Sequence, residues 1–537
     1  MIHTLKMTSH WIIRLLTIGL LLFYLIMTIS GYFADQQQLI YPEKPILIIG
    51  IIISIGLFAL IWGASYWLSK QYVGWLVAAL TLLTLPKIVL VFLFKIKPVS
   101  DMYSYNALGG SSASGDSWHW MYTHNGLDLN PLFPHVVHIS SVFGWIDRLF
   151  INAPLTIQFF NILLTLVTAI LIYYLGRQIG NHFIGVLASL IFYLIPPYYI
   201  YSILLGAEPL WLFLLVTAML CFNRWRLGHW SLSNVYYWEW LMLTAIFLIL
   251  AQLIRPIVTI WALAFFAFML VVLHDNHVPA THLNTRTAHQ LLSSLLILIV
   301  FAIFMNLSPK IDRQIYHVPF TTNTSIYSLT VGSNPKAKGM YDPILISKLE
   351  KINHQSKHNQ RYQQMINLLK TQFHKNLDYL KETNGWLDFL ITKNQIVSQS
   401  FYSIQLFIMN TKQPNSQIHL GKINPKLMRW ATGITTGFQL ILIVLSLLSL
   451  TCYWPNSKNW RIGNGALLLA IILDGVLLAS SIVEVQSRYQ IAWYLPMIIL
   501  GALGMGKYDP KGLDKEDVKK IEEAFDNLKS PSNKSNR

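Results

Sequence analysis

Long apolar stretches separated by short polar segments dominate the hydrophobic pattern of the chain. A helix needs about 20 apolar residues to cross the hydrocarbon core of a bilayer, and about twelve stretches come near that length. They lie near residues 11–33, 45–68, 72–94, 155–175, 183–203, 208–223, 238–254, 257–273, 288–307, 430–453, 462–482 and 489–506. The pattern predicts an all-α, polytopic membrane protein with about twelve transmembrane helices. The stretches beside Arg255-Pro256 fit either two short spans or a broken, re-entrant pair.

Two longer polar segments interrupt this pattern and indicate loops of some size. The first, 95–154, is rich in Gly, Ser, Trp and His, and its part from Val136 to Phe150 has the spacing of a helix lying along a membrane surface. The second, 308–428, has helical periodicity in a polar sequence, and we expect a small helical cap. We therefore divide the chain into a transmembrane module over 1–430 that includes both loops, C-terminal transmembrane helices over 430–506 and a tail over 507–537.

The composition supports a membrane protein and narrows its partners. The chain of 537 residues is 54% hydrophobic and only 12% charged, whereas soluble domains carry about 25% charged residues. Its net charge of +16 is spread over loops between apolar stretches. Such an excess reflects membrane topology and anionic lipid, so we expect membrane lipids and no nucleic acid among the partners.

Lysine and arginine in the short loops predict how the chain is oriented, because cytoplasmic loops are enriched in them. With Lys6 and Arg14 in the cytoplasm, most basic short loops fall on the same side. This orientation places both termini in the cytoplasm and both long loops outside the cell membrane. Segments as long as 308–428 cross a membrane largely regardless of their charge.

Several ionisable residues lie at the predicted outer boundary of the spans, where charge is costly and often functional. Asp101 follows the third apolar stretch, in KIKPVSDMYSYNALG, and Glu208 begins the sixth. Arg255 lies at the junction of the seventh and eighth, and Glu484 and Arg488 precede the twelfth. Charged residues from distant parts of the sequence are thus predicted to lie together at the outer boundary of the membrane.

Each of these charges also has an ordinary structural explanation. Asp101 could cap a short loop helix, and an acid followed by proline, as at Glu208, suits the first turn of any helix. Arg255 could extend toward the lipid headgroups. We expect Glu484 and Asp474, an acid inside the eleventh stretch, to be partners in ion pairs rather than reacting groups.

Histidines and acids in the first loop raise the question of a metal site. They are His119, His124, His135, His138, Asp116 and Asp128. The loop has no HExxH pattern and no cysteine that would complete a zinc set. We therefore expect no metal ion and no other cofactor.

Gly433 and Gly437 lie four residues apart in the sequence ATGITTGF. This spacing is the small-xxx-small pattern that allows two membrane helices to approach closely. We expect the pair to serve helix packing.

Four motifs occur in a fixed order along the chain: SDMYSYNA, GAEPLW, LIRP and SRYQIAWYLPMIILGA. Together they resemble the GT-C superfamily of glycosyltransferases that use lipid-linked sugars. The resemblance covers roughly residues 90–506 and is greatest to the bacterial branch akin to protein O-mannosyltransferases and the aminoarabinose transferase of lipid A, family 39 of the carbohydrate-enzyme classification. Many relatives carry Asp-Glu in the first loop, whereas Met102 follows Asp101 here. This departure argues against carrying over the acceptor specificity of protein mannosylation.

The resemblance implies a polyprenyl-phosphate sugar donor and inverting transfer to an acceptor hydroxyl of the cell envelope, which can be a glycan, a lipid or a protein. Asp101 corresponds to the catalytic aspartate, Glu208 to a recurrent supporting acid, and the remaining matches lie near the donor phosphate: Arg255, Arg488 and Tyr489. Nearby aromatic residues are candidates for stacking on sugar rings or for anchoring at the membrane interface: Tyr103, Tyr105, Trp118 and Trp120.

Two other functions fit a polytopic protein with large outer loops. A flippase or transporter of lipid-linked sugars would place its charges near the bilayer midplane, often on inverted repeats. A polymerase or ligase of surface polysaccharide also combines many spans with a large outer loop. Transfer from a polyprenyl-phosphate sugar in the absence of nucleotide sugar would distinguish the first function from both.

Overall fold

A computed structural model of the chain describes residues 2–34, 43–98, 100–150, 153–228, 232–272, 280–320, 325–355, 360–399, 407, 411–412, 425–452 and 460–506. Apart from two very short strands, the regular structure of these residues is helical. The fold class is therefore that of an all-α polytopic membrane protein, as the apolar pattern predicts. The predicted tail over 507–537 lies outside the described residues.

The helices of the first half alternate between long apolar segments and short loop helices. In chain order they are α1 (Ile2–Phe33), α2 (Lys44–Leu68), α3 (Val73–Leu82), α4 (Leu85–Leu93), α5 (Asp101–Ala113), α6 (Trp118–Thr123), α7 (Pro134–Leu149), α8 (Ala153–Ile179), α9 (His182–Leu194), α10 (Pro196–Tyr201), α11 (Glu208–Leu227), α12 (Val235–Ile254) and α13 (Thr259–Val272). A 3-10 turn, Asn130–Leu132, precedes α7.

The second half begins with the longest helix and ends with three apolar ones. Its helices are α14 (Ala280–Tyr316), α15 (Ser325–Gly332), α16 (Pro343–Gln355), α17 (Arg361–Glu382), α18 (Trp386–Val397), α19 (Pro425–Cys452), α20 (Trp460–Ile482) and α21 (Ile491–Gly506). A 3-10 turn, Ser487–Gln490, joins α20 to α21, and the strands are β1 (Lys95–Ile96) and β2 (Thr411–Lys412).

In the described part of the chain, 10 helical segments are long and apolar enough to cross a membrane. Two other apolar stretches, expected at 183–203 and 257–273, form α9 and α13, which have only 13 and 14 residues. Helix α9 stops at Leu194 because Pro196 and Pro197 follow it, and proline disfavours a helical residue before it. Proline also separates α12 from α13, at Pro256.

The stretch at 72–94 forms α3 and α4, which meet at Leu83-Thr84 with backbone angles that stay in the helical region. Together they make one segment of membrane length, Val73–Leu93, as expected. Two other boundaries differ from those expected from the sequence. The helix expected to end at 307 continues through Pro309 to Tyr316, so the second loop begins later than 308. The division placed at residue 430 falls inside α19.

Close packing around α21 forms the centre of the helical bundle. Residues 491–505 of this helix are all buried, and it packs against α9, α19 and α20. Helix α19 also packs along α2, where a Cβ atom on Gly437 would lie 2.5 Å from the carbonyl oxygen of Gly50. This contact confirms that Gly437 serves helix packing.

The two loop segments are joined to each other. Strands β1 and β2 pair antiparallel, with Lys95 opposite Lys412. A small hydrophobic cluster, which includes Leu129, Val331 and Leu349, unites the first loop with α15 and α16. Helices α15 to α18 confirm the helical character predicted for the second loop, and α7 confirms the helix predicted over Val136–Phe150. The loops therefore form one helical layer, which includes the helix that carries Asp101.

Candidate active site

Asp101 lies in the first turn of α5, directly after a strained residue. Ser100 has a positive φ of 52° and donates a hydrogen bond from Oγ to Asp101 Oδ1 over 3.2 Å. The partial positive charge at a helix N-terminus stabilises a carboxylate in this position. A non-glycine residue at positive φ is uncommon, and such strain is concentrated at functional sites. The ordinary capping role considered for Asp101 thus accounts for only part of its surroundings.

The other oxygen of Asp101 is paired with an arginine from the far end of the sequence. Arg488 Nη2 donates to Asp101 Oδ2 over 2.6 Å. The Asp101 side chain remains 34% exposed, whereas that of Arg488 is only 7% exposed. Both carboxylate oxygens therefore accept a hydrogen bond, while the side chain as a whole remains partly exposed.

Backbone pairing with the second loop places Arg488. After α20 ends, the amide of Glu484 donates to the carbonyl of Ser328 over 2.8 Å, and the amide of Val485 donates to that of Gly339 over 2.9 Å. These bonds hold the chain extended before the 3-10 turn that carries Arg488. The helical layer thus determines where Arg488 meets Asp101.

A buried lysine that the sequence interpretation missed strengthens this connection. Lys393 on α18 donates from Nζ to the carbonyl oxygens of Gly332, Ile482 and Val483 over 2.6, 3.3 and 2.9 Å. The carbonyls of Ile482 and Val483 lie at and just after the C-terminus of α20, where a cation offsets the negative end of the helix dipole. Lys393 therefore joins α15, α18 and the segment that leads to Arg488. The apolar residues around it in LDFLITKNQIV are the only sequence signal of its burial.

A second ion pair, between Glu208 and Arg255, lies beside the first. Glu208 begins α11, and Arg255 caps α12 in an extended conformation, as expected of a residue before proline. Glu208 is 2% exposed and Arg255 is 14% exposed. The charge of Arg255 acts on Asp101, so the two pairs form one cluster.

Three amides that the sequence interpretation did not identify support the segment before Glu208. Asn161 Nδ2 donates to the carbonyls of Leu204 and Gly206 over 2.9 and 3.1 Å, and Gln158 donates to that of Ile203 over 2.8 Å. On α5, Asn106 donates to the carbonyl of Leu205 over 3.3 Å. The helix that carries Asp101 is thus connected to the turn that carries Glu208. No local sequence pattern signals these contacts.

The electrostatic environment keeps Asp101 ionised. Partial burial by itself would raise the pKa of the Asp101 carboxyl, but the charges of Arg488 and Arg255, with the hydrogen bond from Arg488, outweigh it and hold this pKa below its ordinary value. At Glu484, burial raises the pKa of the carboxyl. The hydrogen bond from Gln486 and the charge of Arg488 act in the opposite direction but do not outweigh burial. The pKa of Asp101 is therefore shifted toward the ionised form, and that of Glu484 toward the neutral form.

His135 is a member of the cluster that was considered only as a metal ligand in the sequence. Burial lowers the pKa of His135 to about 4, and Arg255 and His138 act in the same direction against the attraction of Asp101. A neutral imidazole near pH 7 has one donor and one acceptor nitrogen. His135 can therefore exchange hydrogen bonds with a hydroxyl group near Asp101.

The predicted aromatic residues divide between two places. Tyr105 is buried one turn after Asp101, and burial together with the charge of Asp101 raises the pKa of its hydroxyl. Tyr103 on the same helix is exposed, and the ring of Tyr489 lies 5.8 Å from the guanidinium of Arg488. Trp118 and Trp120 lie beyond the opposite end of α5, so the structure does not place them beside Asp101.

The remaining histidines of the first loop have separate partners. His119 contacts the carbonyl of His317 over 3.0 Å, and His124 that of Trp120 over 3.0 Å. His138 Nε2 pairs with Asp312 over 3.0 Å, while its Nδ1 contacts the carbonyl of Leu253. Among the residues that the structure describes, no group of 3 or more His, Cys, Asp or Glu side chains is arranged to hold a metal ion.

The two acids expected in ion pairs instead accept hydrogen bonds from uncharged groups. Asp474 Oδ2 accepts from Thr17 over 2.9 Å, and Glu484 Oε1 accepts from Gln486 over 2.8 Å. Within the described part of the chain neither has an ion-pair partner within 4.0 Å, so the expected ion pairs do not form among these residues.

One buried charge in an apolar stretch was overlooked. Lys87 on α4 is fully buried, and its Nζ lies 3.8 Å from the ring centre of Tyr193 and 4.6 Å from that of Tyr199. Two aromatic faces offset part of the cost of burying the ammonium group. The lysine within TLPKIVLV was its visible signal in the sequence.

Comparisons with protein-family models, with curated proteins and with solved structures found no match to this chain. The interpretation of the site therefore rests on its own geometry and on the motifs in its sequence.

Proposed function

We propose that the protein is a membrane glycosyltransferase that moves a monosaccharide from a polyprenyl-phosphate donor to an acceptor hydroxyl of the cell envelope. The observation that carries the proposal is the ion pair of Asp101 and Arg488, in which an ionised, partly exposed carboxylate adjoins two arginines. A group-transfer reaction with an anionic leaving group needs a base and fixed positive charge in one place. The resemblance to the GT-C superfamily supports the same reaction.

In the proposed reaction, Asp101 is the general base. The acceptor oxygen attacks the anomeric carbon, its proton moves to a carboxylate oxygen of Asp101, and the bond between the anomeric carbon and the phosphate oxygen breaks with inversion. The polyprenyl phosphate leaves with the bonding electron pair. Arg488 and Arg255 stabilise its negative charge, because a guanidinium offers paired donors to a phosphate.

The pairing of Asp101 with Arg488 suggests how donor binding prepares the base. A carboxylate whose pKa is held below its ordinary value is a weak proton acceptor. A phosphate that takes donors from Arg488 would weaken the hold of the arginine on Asp101, and its negative charge would raise the pKa of the carboxyl. Asp101 would thus become a stronger base when the donor is present.

The proposal includes the orientation inferred from the basic residues. Twelve crossings, with α9 and α13 as the two short ones, place both termini in the cytoplasm and the ion-pair cluster outside the cell membrane. Charge asymmetry of the short loops supports this arrangement. A polyprenyl-phosphate sugar in the outer leaflet would then reach Asp101 from the lipid side.

A transfer assay with purified protein in lipid nanodiscs tests the function. Radiolabelled polyprenyl-phosphate glucose, galactose, mannose and N-acetylglucosamine would be supplied one at a time, with isolated cell envelope as the acceptor and no nucleotide sugar. We expect one donor to give covalent labelling of the envelope.

The same materials distinguish the two rival functions. Movement of a labelled lipid-linked sugar across a proteoliposome membrane without covalent transfer would support a flippase. Extension of a polymer only from diphosphate-linked oligosaccharides would support a polymerase or ligase. Either result, without transfer from the monophosphate donors, would overturn the proposal.

A further inference from the structure

A cavity lies at the opposite end of α5 from Asp101. It has a volume of about 550 Å³ and is bounded by the end of α5, by α6 and α7, and by the end of α14. Ser112 in its wall follows Asp101 by eleven positions on the same helix, which corresponds to about 16 Å along the helix axis. Volumes of this size are typical of small-molecule sites. The cavity is therefore separate from the ion-pair cluster and large enough for a ligand.

Aromatic side chains form part of its wall. Trp118 meets Tyr316 edge to face, with ring centres 5.6 Å apart and planes at 84°. Trp145 on α7 also lines the cavity and is exposed. Rigid rings at right angles offer flat apolar surfaces to a ligand.

Polar groups of both charges lie beside these rings. Arg148 donates from Nη2 to the carbonyl of Ser112 over 2.5 Å, which fixes the guanidinium at the wall. An arginine has five N–H donors, so further ones remain for a ligand. Asp116 provides carboxylate acceptors on the same wall. His119 donates from Nδ1 to the carbonyl of His317 over 3.0 Å, which leaves Nε2 as an acceptor in the neutral ring.

We propose that this cavity binds a neutral sugar ring of a glycan. The C–H face of a pyranose packs on an aromatic ring, while its hydroxyl groups both donate and accept hydrogen bonds. Asp116 accepts from hydroxyls and Arg148 donates to them. The carboxylate of Asp116 and the guanidinium of Arg148 balance each other in charge, which favours an uncharged ligand. An anionic sugar would be repelled by the carboxylate of Asp116.

The position of the cavity relative to Asp101 suggests that the bound sugar ring is part of the acceptor. If the function proposed above holds, a growing acceptor chain would place its terminal hydroxyl at Asp101 and an earlier sugar about 16 Å away in this cavity. This assignment to the acceptor rests on the proposed function. The binding of a neutral sugar itself does not, because Asp101 takes no part in it.

Binding of methyl glycosides to the full-length protein in nanodiscs tests the proposal. Saturation-transfer NMR would be recorded with the methyl glycosides of glucose, galactose, mannose and N-acetylglucosamine and with glucuronic acid. We expect at least one neutral glycoside to bind and glucuronic acid not to bind. Trp118→Ala should weaken binding by about tenfold, and Asp116→Asn should also weaken it.

Two matched variants make the result specific. Trp120→Ala removes an exposed tryptophan from the same short helix that does not line the cavity, so its binding should equal that of the unmodified protein. Asp101→Asn should likewise keep full binding, even where it abolishes transfer. If Trp118→Ala does not fold, as judged by its thermal unfolding, Asp116→Asn decides the question.

Several outcomes would overturn the proposal. They are the absence of binding by every neutral glycoside, binding of glucuronic acid alone, and unchanged binding in both cavity variants. Loss of binding in Asp101→Asn would place the sugar at the ion-pair cluster instead. Failure of transfer together with intact glycoside binding would reject the proposed function and leave the cavity proposal standing.

Discussion

The two carboxylate–arginine pairs of the cluster around Asp101 have similar chemistry and different surroundings. Asp101 is 34% exposed beside Arg488, whereas Glu208 is 2% exposed beside Arg255. Both acids lie in the first turn of a helix, so helix dipoles stabilise both. Their exposure therefore separates a carboxylate that a substrate can reach from one that it cannot.

This difference suggests a division of work between the pairs. A buried carboxylate that neutralises a buried arginine holds the structure together, because removing either partner leaves an unpaired charge. A partly exposed carboxylate can give up part of its hydrogen bonding to an incoming hydroxyl. We infer that Glu208 positions Arg255 and that Asp101 performs the proton transfer. Four predictions test this division.

Asp101→Asn should abolish transfer and leave the fold intact. The amide keeps the shape of the side chain but cannot accept a proton, and a general base contributes about 10²- to 10⁴-fold to a rate. The measurement is kcat for transfer, together with thermal unfolding in nanodiscs. Asp388→Asn is the matched control, since Asp388 is exposed in the first turn of α18 and should tolerate the change. Normal turnover by the Asp101 variant would contradict the assignment of Asp101 as the general base.

Glu208→Gln should reduce stability far more than it alters the chemistry of Asp101. The change leaves the guanidinium of Arg255 buried without its partner, which costs about 3–5 kcal/mol of unfolding free energy. Thermal or denaturant unfolding in detergent measures the loss. The control is Glu43→Gln, because Glu43 and Arg429 form a pair that is 43% and 33% exposed and should be worth less than about 1 kcal/mol. Equal losses in both variants would contradict the division.

Arg488→Gln should weaken donor binding and change the pH dependence. Loss of a charged hydrogen-bond donor costs about 1.5–3 kcal/mol, so KM for the donor should rise roughly 10- to 100-fold, with a smaller effect on KM for the acceptor. A comparable increase in both KM values would argue against a phosphate role.

The sign of the pH effect follows from the pKa of Asp101. In the unmodified protein the two arginines hold this pKa below its ordinary value, so the activity that depends on the ionised base should be lost only at a pH below the ordinary titration range of an aspartate. Without Arg488 the pKa of the carboxyl rises, and the acidic limb of kcat/KM should move to higher pH. An unmoved limb would show that Asp101 is not the titrating base.

Gly144→Ala should have the smallest of these effects, through the packing of α5 on α7. A Cβ atom at this position would lie 2.7 Å from the carbonyl oxygen of Gly109, and overpacking of this kind costs about 1–3 kcal/mol of unfolding free energy. Gly110→Ala, where nothing lies within 4 Å, is the control and should not destabilise the protein. Because α5 carries Asp101, the first variant should also lower kcat, whereas the second should not.

Some features of the site could be predicted from the sequence and others could not. Asp101, Glu208, Arg255 and Arg488 stand out because charges beside long apolar stretches are rare. The distribution of basic residues among the short loops then suggests that these four side chains lie at the same outer boundary of the membrane. Their pairing could not be predicted, because Arg488 reaches Asp101 through a segment held by backbone bonds to the second loop.

Other members of the site carry no recognisable local signal. Asn106 and Asn161 hold the turn before Glu208 through hydrogen bonds to carbonyls, and these depend on how α5 and α8 pack. His135 is visible only as one of several loop histidines. Trp118 has the right residue type for a sugar contact, yet the length of α5 carries it away from Asp101.

The sequence by itself determined the class of this protein, because crossing a membrane depends on the length and apolarity of single segments. It also identified the candidate charges, since each is unusual in its own surroundings. Only the tertiary structure decided which acid pairs with which arginine, which carboxylate remains partly exposed, and where the cavity beside Trp118 lies. The two pairs join residues 47 and 387 positions apart, and no local pattern in the sequence records such contacts.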